Sequence, residues 1–177
     1  MILYRSILAP VAMSEILEDT MASWRRERPD LDLDAMGTTL RINQLMNTAL
    51  RSAETLFEPH GITVGEFDVI AALRRGGAGT VLTPTTLARV AMISPAGMTN
   101  RLNRLEAAGL IVRRPDPDDR RGSLVELTRN GHAIADRAIE DLVTAENEFF
   151  RELSASERQR LDRLLDKLIQ RLEQSTG

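Results

Sequence analysis

Apolar residues recur with helical spacing along most of this chain, and the places where the rhythm changes are the informative ones. Met13, Leu17, Met21 and Trp24 predict an amphipathic helix that stops at Arg28, before Pro29. The PDLDLD segment after it reads as a polar linker. A longer helix is predicted from Leu40 to Phe57, with Ile42, Leu45, Met46, Ala49, Ala53, Leu56 and Phe57 on one face and Pro59 and Gly61 as its stop. Thr63 to Glu66 forms a capping box that opens a third helix through Arg75, with Phe67, Ile70, Ala71 and Leu73 as its apolar positions. Gly76 to Gly79 is a loop.

The rhythm then shortens. Thr83 and Ser94 are N-cap residues, each followed by a proline at the first helical position, where a missing N–H costs nothing. Only a tight connection around Met92 and Ile93 separates the two helices, which is helix-turn-helix spacing. Met98, Leu102 and Leu105 form the stripe that the second helix must bury, and Gly109 closes it as a left-handed cap. The period next changes to two: Leu110 to Arg114 and Ser123 to Leu127 are strand-like, with Val125 and Leu127 alternating against Leu124 and Glu126. Between them, Pro115 to Gly122 is a turn rich in aspartate and arginine. An arginine-tipped hairpin after a helix-turn-helix is a wing, able to reach phosphates or a narrow minor groove.

Helical spacing returns from Arg129 to Leu153, capped by Thr128 and marked by Ile134, Ala138, Leu142 and Phe149. A second capping box, Ser154 to Glu157, opens a last helix carrying Leu161, Leu164, Leu165, Leu168, Ile169 and Leu172. These two helices and the one from Leu40 have apolar faces wider than a small winged domain can cover, so a homodimer is expected. Two reading helices set roughly 34 Å apart then fit successive major grooves of a palindromic double-stranded site. On the exposed faces of the second short helix, Asn100, Asn103 and Arg104 suit base edges, arginine for guanine and asparagine for adenine. Thr85, Ser94 and Thr99 suit phosphates.

The run Asp116-Pro117, Asp119, Arg121, Leu127-Thr128 and Gly131 matches the D-P-x-D-x-R and L-T-x-x-G wing signature of the MarR-type winged-helix regulators, and from about Leu40 onward the chain resembles that family. The resemblance implies that Arg121 enters the minor groove while Asp119 orients it, with Arg120 as an additional charge. The expected fold is therefore mainly α with a small β-wing. It divides into an N-terminal extension with an extra helix (1–37), a dimerisation helix (38–62), a winged helix-turn-helix region (63–128) and C-terminal dimerisation helices (129–177).

Arg101 is out of place. It adjoins Leu102 on the stripe side, and a cation behind the reading helix wants an anionic neighbour. Asp68 on the preceding helix is the candidate, and Trp24, the single tryptophan, is a candidate lid. Two readings stay open: a structural Asp68–Arg101 pair with Trp24 as core filler, or a site for a small anion. Trp24, Glu66-Phe67-Asp68 and Asn100-Arg101 also resemble the urate-responsive branch of the family. That resemblance implies an arginine that anchors an anionic effector, an indole that packs on it and an aspartate displaced by it. Urate, another purine or a different organic acid would lower DNA affinity, making the chain a repressor relieved by its ligand.

Composition adds mainly exclusions. The formal charge is −3, yet seven arginines against five acids fall between Thr83 and Thr128, so DNA binding depends on their convergence on one surface. Without cysteine there is no disulfide or thiol sensor, and with two histidines no His/Cys metal site is expected; no cofactor is expected. His60 and His132 are expected to be solvated. No nucleophile–base constellation is present, and Gly76 to Gly79 follows a helix rather than a strand, so an enzyme is not expected. No apolar run spans a bilayer, and MILYRSILAPVA, interrupted by Arg5 and Pro10, does not read as a signal peptide, which points to a cytoplasmic protein without a membrane partner. The competing class is a helical protein-interaction module whose wing contacts protein. A regulator of the same kind without an effector is the nearer alternative.

Overall fold

The computed structural model describes residues 11–117, 119 and 122–176. In chain order it contains α1 (Val11–Glu27), α2 (Asp34–Phe57), a 3-10 turn (Glu58–His60), α3 (Val64–Arg75), α4 (Pro84–Val90), α5 (Pro95–Ala107), β1 (Ile111–Pro115), β2 (Ser123–Leu127), α6 (Arg129–Phe149) and α7 (Ala155–Thr176). It is mainly α with one two-stranded antiparallel sheet, as the period change predicts. The chain divides within α2, at Glu54 and Thr55, into two compact units.

In the N-terminal unit α2 begins at Asp34, six residues before the expected start at Leu40, so part of the supposed linker is helix. Gly37 lies in its first turns. A Cβ there would meet the flexible end of Arg41 at 3.2 Å and, at an ordinary contact distance of 3.5 Å, Cε of Met21 of α1, which is 2% exposed.

In the C-terminal unit the core is aliphatic. Ile70, Leu73, Leu87, Met98, Leu102, Leu105, Ile111 and Val125 are all buried, and Phe67 of α3 stacks on Phe57 with ring centroids 4.2 Å apart. The sheet pairs Ile111 with Leu127 through Pro115 with Ser123, so Val125 and Leu127 face inward as the alternation predicts. Leu82 adds a bridge that was not expected, exchanging two backbone hydrogen bonds with Val125 at 2.9 and 3.0 Å. It ties the loop before α4 to the hairpin. α6 ends at Phe149 rather than Leu153, capped by Phe150.

The L-T-x-x-G signature has a plain physical basis. The Thr128 hydroxyl accepts from Gly131 N–H at 2.9 Å, capping α6, and donates to the Gly109 carbonyl at 2.7 Å. A Cβ on Gly131 would lie 1.9 Å from the Leu110 carbonyl oxygen, which no side chain tolerates. The expected solvation of His60 is corrected: its side chain is 10% exposed and its Nε2 sits 2.7 Å from Asp141 Oδ2 of α6. His132 is half-buried. A second ion pair, Arg74 to Asp136 at 2.5 Å, joins α3 to α6.

Candidate nucleic-acid interface

The helix expected to read DNA is α5, and its start and stop are set by short-range chemistry. Ser94 accepts from Gly97 N–H at 3.2 Å, Pro95 occupies the first turn, and Met98, Leu102 and Leu105 are each 1% exposed. At the far end Gly109 at φ +67° allows the Leu110 N–H to reach the Leu105 carbonyl at 2.9 Å, and its own N–H reaches Glu106 at 2.9 Å. This is the Schellman stop that Gly109 predicts. The preceding helix ends the same way without a glycine: Met92, at φ +52° and 94% exposed, lets Ile93 N–H bond to the Ala88 carbonyl at 2.9 Å. Sequence reasoning locates that turn but not its left-handed residue.

Opposite the buried stripe, Ser94, Thr99, Asn100, Asn103 and Arg104 are all exposed, and Thr85 is exposed at the start of α4. Each has different hydrogen-bonding commitments. The Thr99 hydroxyl donates to the Pro95 carbonyl at 3.2 Å, leaving it acceptor capacity. Arg104 is 70% exposed, with Nη1 3.9 Å from Oε1 of Glu66, a loose contact that leaves the guanidinium fork available. The other Glu66 oxygen, Oε2, closes the Thr63 capping box, accepting from Thr63 N–H at 2.8 Å. The capping box predicts Glu66 as a cap; the structure adds that it faces α5.

The hairpin is held to α5 by a residue that the sequence reading counted only as a charge. Arg113 shares its strand face with Ile111. Its Nε donates to Glu106 Oε2 at 2.9 Å, its Nη2 also meets that oxygen closely, and Nη2 donates to Asn103 Oδ1 at 2.9 Å. The hydrogen bonds from Arg113 hold the Glu106 carboxyl below its ordinary range and raise the Arg113 guanidinium above its own. The signal available beforehand was strand alternation, which puts Arg113 on the inward side. On the opposite face Arg114 pairs with Glu126. At the tip Asp119 is exposed and its carbonyl accepts from Gly122 N–H at 2.9 Å, while Asp116 N–H bonds to the Gly122 carbonyl at 3.2 Å. Arg120 and Arg121, expected to reach DNA, lie outside the described residues.

Asp68 and Arg101 come within electrostatic reach without forming an ion pair. Crowding around the Asp68 carboxylate raises its pKa although the residue keeps an exposed surface, and the Arg101 charge acts in the opposite direction. Of the two readings left open, the structural Asp68–Arg101 pair is therefore not formed. Instead the Arg101 guanidinium lies on the first turn of α3: a Cβ on Gly65 would meet Nε at 2.2 Å and Cζ at 2.6 Å. Trp24 belongs to the N-terminal unit, 45% exposed beside a shallow groove with Ile16, Thr20, Ser23 and Glu27, so it is not core filler. Among the described residues no group of His, Cys, Asp and Glu has the arrangement of a metal site, and no helix is long and apolar enough to cross a membrane.

Comparison with known proteins agrees with this architecture. A family model described as MarR family matches residues 60–122, from the turn before α3 to the hairpin tip. The HTH-type transcriptional regulator PecS of Dickeya dadantii is 36% identical over 161 residues, 88% of this chain and 95% of that protein. Escherichia coli MarR, solved as a mutant complexed with operator DNA, superposes with a TM-score of 0.65 at 27% identity, covering 82% of this chain and 96% of that one. BpsR of Bordetella bronchiseptica, whose DNA binding is regulated by 6-hydroxynicotinic acid, superposes with a TM-score of 0.59 at 26% identity over 72% of this chain and 98% of that one.

Proposed function

This chain belongs to the MarR family of DNA-binding transcriptional regulators, and from that premise we propose that it is a homodimeric repressor whose grip on a palindromic operator is loosened by a small organic anion. The observation that carries the DNA reading is the outer face of α5: five polar side chains, Ser94, Thr99, Asn100, Asn103 and Arg104, opposite three apolar ones buried to 1%. Arg104, Asn100 and Asn103 read base edges in the major groove, while Ser94, Thr85 and Thr99 position the phosphates. Arg120 and Arg121, with Asp119 as the orienting carboxylate, act at the wing.

Dimerisation is supported by apolar surface left exposed among the described residues. Leu164, Leu165, Leu168 and Ile169 of α7 are between 40 and 53% exposed, and Val143 and Phe149 of α6 are 48 and 41% exposed. The effector reading is supported by Arg101 and Asp68. A guanidinium resting on Gly65, at a helix N-terminus, offers a planar fork to a carboxylate or urate oxygen. An anion bound there competes with Asp68 for Arg101 and shifts α5 through its own residue. MarR with operator DNA and BpsR with 6-hydroxynicotinic acid supply relatives for the two halves of the proposal.

The test is a gel-shift titration of urate, other purines and small carboxylates against the protein–operator complex. Release by one of these anions, lost in Arg101→Ala while operator affinity persists, is the expected result. Emission from Trp24, the single tryptophan, reports whether it takes part. If no anion releases the DNA, the effector reading fails. If binding shows no steep salt dependence, the protein-interaction alternative replaces the DNA reading.

A further inference from the structure

We propose that Arg113 is a specificity-determining residue that acts through Asn103, turning its amide so that this position of the reading helix selects guanine over adenine. The inference rests on the reading of α5 as the DNA-reading helix and concerns which base one of its residues accepts. An asparagine free to rotate suits adenine, because its carbonyl accepts from the adenine amino group while its NH2 donates to N7. Asn103 is not free to rotate. Its Oδ1 accepts from Arg113 Nη2 at 2.9 Å. A guanidinium has five N–H donors and no acceptor, so only the carbonyl end of the amide can face it. Chemistry, rather than the fit of two similar atoms, assigns the orientation.

Arg113 is itself immobilised. It stands on β1, and its Nε and Nη2 are held by Glu106 Oε2, with the Nε contact at 2.9 Å. Glu106 lies three residues after Asn103 on the same flank of α5. The guanidinium is 30% and the carboxylate 39% exposed, so the pair is partly shielded from water at the junction of hairpin and helix. With Oδ1 turned to the wing, Asn103 shows DNA its NH2, two donors. Guanine presents two acceptors, O6 and N7, on its major-groove edge, whereas adenine presents one acceptor beside an amino donor that meets the amide hydrogens head-on.

The test is selection of bound duplexes from a random pool by the full chain, by Arg113→Ala and by Asn103→Asp. The wild-type chain is expected to enrich a palindrome with guanine at the base pair facing Asn103. Arg113→Ala frees the amide to rotate, so adenine should gain at least about fivefold relative to guanine at that pair alone. Asn103→Asp keeps the Arg113 contact, replaces the outward donors with an acceptor, and should move the preference toward cytosine. An Arg113→Ala chain that binds every sequence more weakly with unchanged base preference overturns the assignment and leaves Arg113 as a strut between wing and helix. An Asn103→Asp chain that still prefers guanine also overturns it. A wild-type chain that enriches no sequence overturns this assignment and the DNA reading together, and so is distinguishable from the other two.

Discussion

α5 and α7 are written with the same apolar rhythm and meet opposite fates. In α5, Met98, Leu102 and Leu105 are each 1% exposed; in α7, Leu164, Leu168 and Leu172 are 53, 51 and 68% exposed. The difference is what surrounds them. α5 lies against α3, α4 and the hairpin, which close over its stripe, whereas none of the described elements packs broadly along α7. A helix whose apolar face is covered by its own chain reads as core, and one whose face is bare reads as half of an interface. Periodicity reports that a face must be buried, not by what.

The largest effect expected from this comparison is on α7. Leu168→Glu should leave the reading unit folded by circular dichroism, yield monomers in sedimentation, and cost about 10²–10⁴-fold in affinity for a palindromic duplex, since the second half-site is no longer tethered. A dimeric Leu168→Glu chain with full affinity would remove the distinction between the two helices. Next, Leu102→Ala should lower unfolding stability by about 2–5 kcal/mol in denaturant titration, because it opens a cavity in a closed core. Leu168→Ala in the monomeric background should change stability by no more than about 0.5 kcal/mol. Equal costs would mean that both stripes are core.

Much of the reading unit was legible because its determinants are local. Caps at Thr63, Thr83, Ser94 and Thr128 all accept from the expected turn, and Gly109 stops α5 as its position implies. What was not legible depends on partners distant in sequence. His60 meets Asp141 across 81 residues, and Leu82 reaches Val125 across the whole helix-turn-helix. The helical start at Asp34 was missed because the polar residues before Leu40 carry no apolar rhythm of their own. In the candidate site the exposed residues of α5 were readable from the helical wheel, but the constraint on Asn103 was not, since Arg113 counts as one more positive charge until the strand is folded against the helix.

Two smaller effects sharpen the contrast. Met92→Gly should raise stability by roughly 0.5–1 kcal/mol, since the left-handed backbone there disfavours any side chain and this one is 94% exposed. The gain should appear in the thermal midpoint without a change in oligomeric state. Acid should act on both regions in the same direction. Glu106 is lowered by Arg113 and Glu157 by the Ser154 cap, so each contributes stability above the ordinary glutamate range that is lost as pH falls through its lowered value. Urea midpoints taken from about pH 7 to about pH 3 should fall less steeply in Glu106→Gln than in the wild-type chain. An unchanged slope would mean that the clamp between wing and helix adds nothing to the fold.

The most direct measurement is the stoichiometry and spacing of the DNA complex. Sedimentation of the full chain on duplexes whose half-sites are moved apart one base pair at a time should show two chains per duplex, with tight binding only when the half-sites lie about one helical turn, roughly 10 base pairs, apart. One chain per duplex, or affinity indifferent to spacing, would contradict it.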